Sequence, residues 1–170
     1  FMLGRNPKLK FLIVAYEEEI AEDIVRLIKK VMGSTLYKKL FATRIESDHN
    51  RKNDFAVVGG GRVRAAAVGS VTGKGGDIAI FDDPHNVDAW DSPKRKRRVV
   101  RQFETLRTRR DKGGKSQFLV VGHRVAEDDL SAHILERDDF DHIQLPLVAP
   151  HDMKFRMGER TWLLPKGEAL

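Results

Sequence analysis

The chain contains no cysteine, which excludes disulfide bonds and metal sites built from thiolates. It also lacks an apolar run of the roughly 20 residues that a membrane-spanning helix needs. The apolar run over residues 9–16 is short and is followed by three glutamates, which is not the pattern of a signal peptide. These absences lead us to expect a soluble intracellular protein.

Positive charge is in excess, with 31 Lys and Arg residues against 25 Asp and Glu residues in a chain of 170. A basic balance of this kind favours a polyanionic partner such as nucleic acid. The length suits one domain with its own core. Because the first residue is Phe1 rather than methionine, we expect the sequence to be a fragment of a longer protein.

The hydrophobic pattern predicts strands that alternate with helices. Buried strands are predicted over 8–16, 77–81, 117–121 and 141–148, and helices over 17–32, 35–41, 93–109 and 126–137. Residues 42–54 are polar and predict an exposed excursion, while 55–58 and 62–68 predict a β-hairpin. This alternation indicates a three-layer α/β fold with a mostly parallel sheet and a β-hairpin insertion. On the first long helix, one apolar face is expected to be buried, formed by Ile20, Ile24, Leu27, Ile28 and Val31.

The segment Ile78–Pro84 (IAIFDDP) joins a short apolar strand to two adjacent carboxylates. Open α/β sheets bind ligands at the carboxyl ends of their strands, and a Walker B strand has this form. In that interpretation Asp82 holds Mg²⁺ and Asp83 positions or activates the attacking water. The alternative is a structural strand that ends in an Asp-Asp-Pro turn.

A Walker B strand needs a phosphate-binding loop, GxxxxGK[ST], and the chain contains only two near matches. Residues 69–75 (GSVTGKG) are one residue short between the glycines, and Lys74 is followed by Gly75. Gly114-Lys115-Ser116 precedes a predicted strand, whereas a P-loop follows a strand and opens a helix. We therefore expect any phosphate cradle to come from a segment upstream of Phe1.

The predicted helix over 93–109 carries the strongest run of one charge sign in the chain. Such a helix could track DNA phosphates, or one of its arginines could reach an ATP γ-phosphate in trans. The alternative is a solvated helix face. The candidate DNA-binding residues are Lys94, Arg95, Lys96, Arg98 and Arg101.

Gly122-His123-Arg124 follows the strand over 117–121 and precedes the acidic residues 127–129. A polar residue at the tip of the strand beside Walker B can sense the γ-phosphate. The alternative is a loop into a helix whose dipole is complemented by Asp128 and Asp129. The other histidines, His85 among them, show no metal-ligand spacing and are expected to have ordinary roles.

Taken together, these segments resemble the large terminase subunit of tailed bacteriophages and prophages, the DNA-packaging motor. The resemblance covers about residues 5–150 and depends on the order of several short motifs. These are Pro7 to Tyr16, Thr72-Gly73-Lys74-Gly75, Ile78 to Pro84, Thr105 to Arg109, His123 to Leu130 (HRVAEDDL) and Leu145-Pro146-Leu147.

The resemblance implies a RecA-like P-loop ATPase core over 1–150, N-terminally incomplete, with 151–170 as a linker or the start of a nuclease domain. It implies ATP and Mg²⁺ as cofactors, with Asp82 as the metal ligand. The implied nucleotide-binding residues are Thr72, Gly73 and Gly75, and the implied catalytic residues are Asp82, Asp83, Arg109, His123 and Arg124.

The implied partners are double-stranded DNA, a portal protein and a small terminase subunit, with a homo-oligomer as the packaging state and no membrane. The implied location is the bacterial cytoplasm, with transient docking on a procapsid. This fragment alone is expected to be inactive.

The sequence departs from the family pattern in two places. His123, Val125 and Ala126 stand where Thr, Trp and His are common, and Asp83 stands where many related ATPases have Glu. Two other functions stay open: a metal-dependent nuclease that uses Asp82 and Asp83 in a two-metal site, and a non-catalytic DNA-binding or assembly module.

Overall fold

A computed structural model describes residues 1–71, 75–85, 92–108, 116–124, 126–137 and 139–169. The chain divides into two compact units, Phe1–Glu136 and Arg137–Leu170. The sequence pattern put a change of organisation later, at residue 150, where the apolar periodicity fades.

The first unit is built on a six-stranded sheet of order β2-β3-β4-β1-β5-β6. Four of its strands are parallel: β1 (Lys10–Ala15), β4 (Arg62–Ala67), β5 (Ile78–Asp82) and β6 (Gln117–Val121). At the other end of the sheet, β3 (Asp54–Val57) pairs antiparallel with β4, and β2 (Ile45–Arg51) pairs antiparallel with β3. The structure thus confirms a mixed α/β fold with a mostly parallel sheet and a hairpin formed by β3 and β4.

Strand β2 was not predicted from the sequence. Its residues, IESDHNR, are mostly polar and were interpreted as an exposed excursion. The strand forms because it lies at the edge of the sheet, where polar side chains reach solvent while the backbone pairs with β3.

Strand β5 lies inside the parallel part of the sheet, between β1 and β6. Phe81 pairs with Val14 on one side and with Val120 on the other, and Asp82 pairs with Val121. This confirms the prediction that the first strand and the strand ending in the acid pair share one parallel sheet.

A short helix, α1 (Met2–Arg5), precedes β1. One face of the sheet is covered by α2 (Glu18–Gly33), which is followed by α3 (Thr35–Leu40). The helix buries Ala21, Val25 and Met32, while Leu27 and Val31 are 57% and 60% exposed. The predicted apolar face was therefore wrong in part: Ile24 and Ile28 pack against the core, whereas Ile20, Leu27 and Val31 do not. Small side chains at 21 and 25 let the helix approach the strands closely.

The opposite face is covered by α4 (Pro93–Thr108). This is the basic helix, and it begins at Pro93 as the sequence predicted. The ring of Phe103 lies 5.4 Å from that of Phe81 and 5.6 Å from that of Phe118. Val14 pairs with Phe81 and therefore shares its face, whereas Ile13 packs with α2 on the other face. Helices thus lie on both faces of the sheet.

Helix α5 (Leu130–Leu135) begins later than predicted, because Asp129 caps the helix instead of lying in its first turn. The predicted strand over 141–148 was wrong. Of these residues only Val148 forms a bridge, to Ala169, and the apolar side chains of Ile143, Leu145 and Leu147 are exposed.

The second unit contains an antiparallel hairpin, β7 (Met153–Met157) and β8 (Arg160–Leu164), that the sequence pattern did not indicate. Gly158 has a positive φ of 62° at its turn, a conformation that suits glycine. In the part of the chain that the structure describes, no helix has the length and apolar character required to cross a bilayer.

Candidate functional site

The candidate site lies at the carboxyl edge of the parallel strands. Asp82 is the last residue of β5 and pairs with Val121, the last residue of β6. Because the two strands are parallel, the segments that follow them begin side by side. The structure therefore brings the acid pair next to Gly122, the first residue after β6, and His123 and Arg124 follow Gly122 along the chain.

Asp83 holds an unusual backbone conformation, with a φ of +42°. The left-handed region costs most L-residues roughly 1–2 kcal/mol, and Asp and Asn occupy it more readily than other non-glycine residues. The N–H of Asp83 donates to the carbonyl of Val121 over 2.8 Å, which fixes the turn against the end of β6. The chain thus changes direction between the two carboxylates.

The Asp83 carboxylate lies against the backbone of β6's exit loop. A Cβ added to Gly122 would stand 3.4 Å from Oδ1 of Asp83. Both Asp82 and Asp83 are half-buried, and neither forms an ion pair with another described residue. Within the described residues, no cationic side chain occupies the oxygen atoms of these two carboxylates, which are the hard ligands that Mg²⁺ prefers.

His85 is the residue of this site that the sequence did not single out. It is 6% exposed, and the N–H of Leu130, the first residue of α5, donates to its Nε2 over 3.0 Å. Burial lowers the pKa of His85, an effect that the nearby carboxylates of Asp129 and Asp83 oppose. An imidazole that accepts at Nε2 is neutral and carries its proton on Nδ1. A lone histidine after Asp-Asp-Pro gives no sequence signal for this role.

Asp129 is fully buried and organises the loop before α5. Its Oδ1 accepts from the N–H of Ala132 over 2.9 Å, and its Oδ2 accepts from the N–H of Ala126 over 3.3 Å. Nε of Arg124 lies 3.4 Å from Oδ2. Arg124 is therefore half-exposed and tethered to Asp129, while the side chain of His123 is exposed.

Lys96 differs from the other predicted DNA contacts because it is buried, with 10% of its side chain exposed. Its ammonium pairs with the carboxylate of Asp128, whose pKa is lowered by that contact. The pair joins α4 to the loop before α5, so Lys96 does not lie on the exposed basic surface. That surface carries Lys94, Arg95, Arg97, Arg98 and Arg101.

Arg98 extends the basic surface toward the carboxyl edge of the sheet. Gly69, two residues past the end of β4, has a φ of +98°, and a side chain there would overlap the guanidinium of Arg98. The close approach thus depends on glycine. Because β4 is parallel to β5, this guanidinium lies at the same edge as the acid pair, two strands away.

Several predicted residues are not brought to the acid pair. Gly75 precedes β5 and lies at its amino end, across the sheet from Asp82. The glycine-rich approach therefore does not line the candidate site through Gly75. Thr72, Gly73 and Arg109 lie outside the described residues.

The donor set fits a magnesium ion held through one or two carboxylates and several waters. Across the described ranges there is no group of three or more histidines, aspartates or glutamates that could hold a metal ion. The two acidic residues just before α5 already have partners: Asp128 pairs with Lys96, and Asp129 caps α5. The described residues thus give no support to a two-metal nuclease site.

Comparison of the chain with protein-family models gave no match, and comparison with curated proteins found no relative.

Proposed function

We propose that residues 1–136 belong to the core of a magnesium-dependent ATPase of the RecA-like P-loop class, and that this ATPase drives a phage DNA-packaging terminase. The observation that carries the proposal is the acid pair at the carboxyl end of β5, an interior parallel strand. In open parallel sheets this is the ligand-binding edge.

The two carboxylates are suited to different tasks. Asp82 ends the strand and offers a half-buried oxygen ligand for Mg²⁺, which neutralises charge on the phosphates when bound. Asp83 is turned away from the strand direction and fixed by its bond to Val121, so its carboxylate can orient an attacking water. Placing water within about one ångström matters for the rate of such reactions.

The outer edge of β6 supports the proposal that another strand completes the sheet. Parallel strands are normally buried on both faces, yet Leu119 and Val121 are 51% and 50% exposed. In the described part of the chain, no strand pairs with that edge. We propose that a segment outside the 170 residues pairs there and supplies the phosphate cradle.

A non-catalytic DNA-binding module is the second candidate, and the exposed cations of α4 favour it. Lys94, Arg95, Arg98 and Arg101 lie on one helix without an acid among them. They would contact DNA phosphates equally well in a motor or in a passive module.

The experiment that separates the two candidates uses the protein from the complete reading frame. Steady-state ATP hydrolysis is measured with Mg²⁺, with and without duplex DNA, for the wild type, Asp82→Asn and Asp77→Asn. Asp77 is a matched acid at the amino end of β5, where its Oδ2 accepts from the N–H of Lys10. The ATPase proposal requires DNA-stimulated turnover that Asp82→Asn abolishes and Asp77→Asn retains. Duplex binding without turnover in the wild type would instead identify a passive module.

A further inference from the structure

A second cluster of basic side chains lies at the amino edge of the sheet, away from the acid pair. It lines a cavity of about 290 Å³ between the starts of β1 and β4 and the hairpin strands. Its charged lining consists of Lys10, Glu46, His49, Arg62 and Arg64, and Gly60, Gly61 and Gly75 contribute backbone.

Strand register explains why these side chains meet. Lys10 pairs with Arg62 across β1 and β4, and Asp54 pairs with Arg64 across β3 and β4. Residues 62 and 64 point to the same face because side chains alternate along a strand. The cluster is therefore a product of sheet pairing between segments that are far apart in sequence.

The carboxylate of Asp54 lies beside three of the basic side chains, those of His49, Arg62 and Arg64. Nε of Arg62 donates to Oδ1 of Asp54 over 2.7 Å, and a second bond joins Nη2 of Arg62 to Oδ2. His49 Nε2 lies 3.2 Å from Oδ1, and Arg64 Nε lies 3.8 Å from Oδ2. Burial alone would raise the pKa of Asp54, but the hydrogen bonds from Arg62 and the neighbouring His49 imidazole lower it. Arg62 holds Asp54 most closely, through two hydrogen bonds to its carboxylate.

Arg64 retains an unsatisfied donor. Its Nε is buried and has no hydrogen-bond partner among the described residues. Asp54 is bonded to Arg62 and lies 3.8 Å from Nε of Arg64, so it does not fully neutralise Arg64, which lines the cavity. Lys10 adds an exposed ammonium to the same wall.

We propose that this cavity binds a phosphate group, with Arg64 and Lys10 as its cationic donors. A cavity of about 290 Å³ has room for more than one phosphate group. The shared chemistry is therefore inorganic phosphate or the phosphate of a small phosphomonoester, with Glu46 placed to accept from a hydroxyl. This site does not depend on the proposed ATPase function, because it lies at the opposite edge of the sheet.

Isothermal titration of the 170-residue chain with inorganic phosphate and with glycerol 3-phosphate tests the proposal. Saturable binding is expected, and Arg64→Gln should weaken it about tenfold or more, the usual effect of losing a charged hydrogen bond. Arg26→Gln is the matched control, since Arg26 is an exposed α2 residue whose side chain is hydrogen-bonded to Asp23 and does not line the cavity. Tighter binding of glycerol 3-phosphate supports an organic ligand, and equal binding supports free phosphate.

Amide chemical shifts locate the bound phosphate. The amide signals of Gly60, Gly61 and Gly75 should shift during the titration. Lys10→Gln, at an exposed position, should also reduce the affinity, and it replaces Arg64→Gln as the test if that variant does not fold. No saturable binding, equal weakening by Arg26→Gln, or shifts centred on residues 122–124 would each overturn the proposal.

Discussion

The backbone N–H of Leu130 donates to Nε2 of His85, 45 residues earlier in the chain, over 3.0 Å. His85 follows the acid pair by two residues, and Leu130 opens the helix that Asp129 caps. Because Asp129 also holds Arg124, this bond ties the segment after β5 to the segment after β6. Both sides of the candidate site therefore share one buried connection.

The first prediction concerns the pH dependence of stability. Burial lowers the pKa of His85 below its unfolded value near 6.5, so the unfolded chain binds the proton more readily. The stability that the neutral imidazole provides is complete above pH 6.5 and is lost as pH falls toward the lower folded pKa. In His85→Gln an amide oxygen can still accept from Leu130, and the titrating group is gone.

Thermal unfolding of both proteins from pH 8 to pH 5 checks this. The wild type should lose more stability than His85→Gln below pH 6.5, while His85→Ala should be less stable than both at pH 8. Parallel pH profiles for wild type and His85→Gln would remove His85 from the acid response.

The second prediction concerns the positive φ of Asp83. If this conformation is strained for most side chains, Asp83→Ala should reduce the free energy of unfolding by about 1 kcal/mol relative to Asp83→Gly. Asp83→Asn should stay close to the wild type, because Asn also tolerates this region. Urea denaturation of the three variants measures the difference; identical midpoints for Ala and Gly would show that the turn imposes no such strain.

The third prediction separates exposed from buried cations on α4. Arg95 is exposed, whereas Lys96 is buried against Asp128. Arg95→Gln should reduce the slope of log K for duplex DNA against log salt by about 0.9 if one phosphate contact is lost. Lys96→Met removes the same charge and should leave that slope unchanged.

Fluorescence anisotropy with a labelled duplex at several salt concentrations gives both slopes. Adding Arg98→Gln and Arg101→Gln to Arg95→Gln should reduce the slope further. Equal slopes for Arg95→Gln and Lys96→Met would mean that binding responds only to net charge.

The fourth prediction concerns the 170 residues alone. Because no GxxxxGK[ST] sequence occurs in them, they should bind Mg-ATP weakly and hydrolyse it negligibly. Calorimetry with Mg-ATP measures this directly. Micromolar affinity would show that the chain holds a phosphate cradle of another kind.

The parts of the fold that the sequence predicted are those with strong local signals. Strand β5 is an apolar run ended by charge and proline, and α4 begins at Pro93 as a helix start pattern indicates. The parts that failed depend on tertiary contacts. The buried face of α2 is set by Ala21 and Val25, whose small size matters only once the helix meets the sheet.

The candidate site shows the same division. The adjacency of Asp82 and Gly122 follows from strand order, which the alternation of elements indicates. The burial of Lys96 and the acceptor role of His85 do not, because each depends on a partner more than 30 residues away. A run of cations and an isolated histidine give no sign of such partners.

We propose that Asp82 acts on the metal and Asp83 on the water. In the protein from the complete reading frame, Asp82→Ala should weaken Mg-dependent nucleotide binding and stop hydrolysis. Asp83→Asn keeps the size and backbone preference of Asp, so it should leave binding nearly intact while turnover falls sharply, as expected for an interaction made mainly in the transition state. Steady-state ATP hydrolysis together with nucleotide affinity for both variants is the most direct measurement. In Asp83→Asn we expect a loss confined to turnover, and wild-type turnover in that variant would contradict the role of Asp83 in positioning the water.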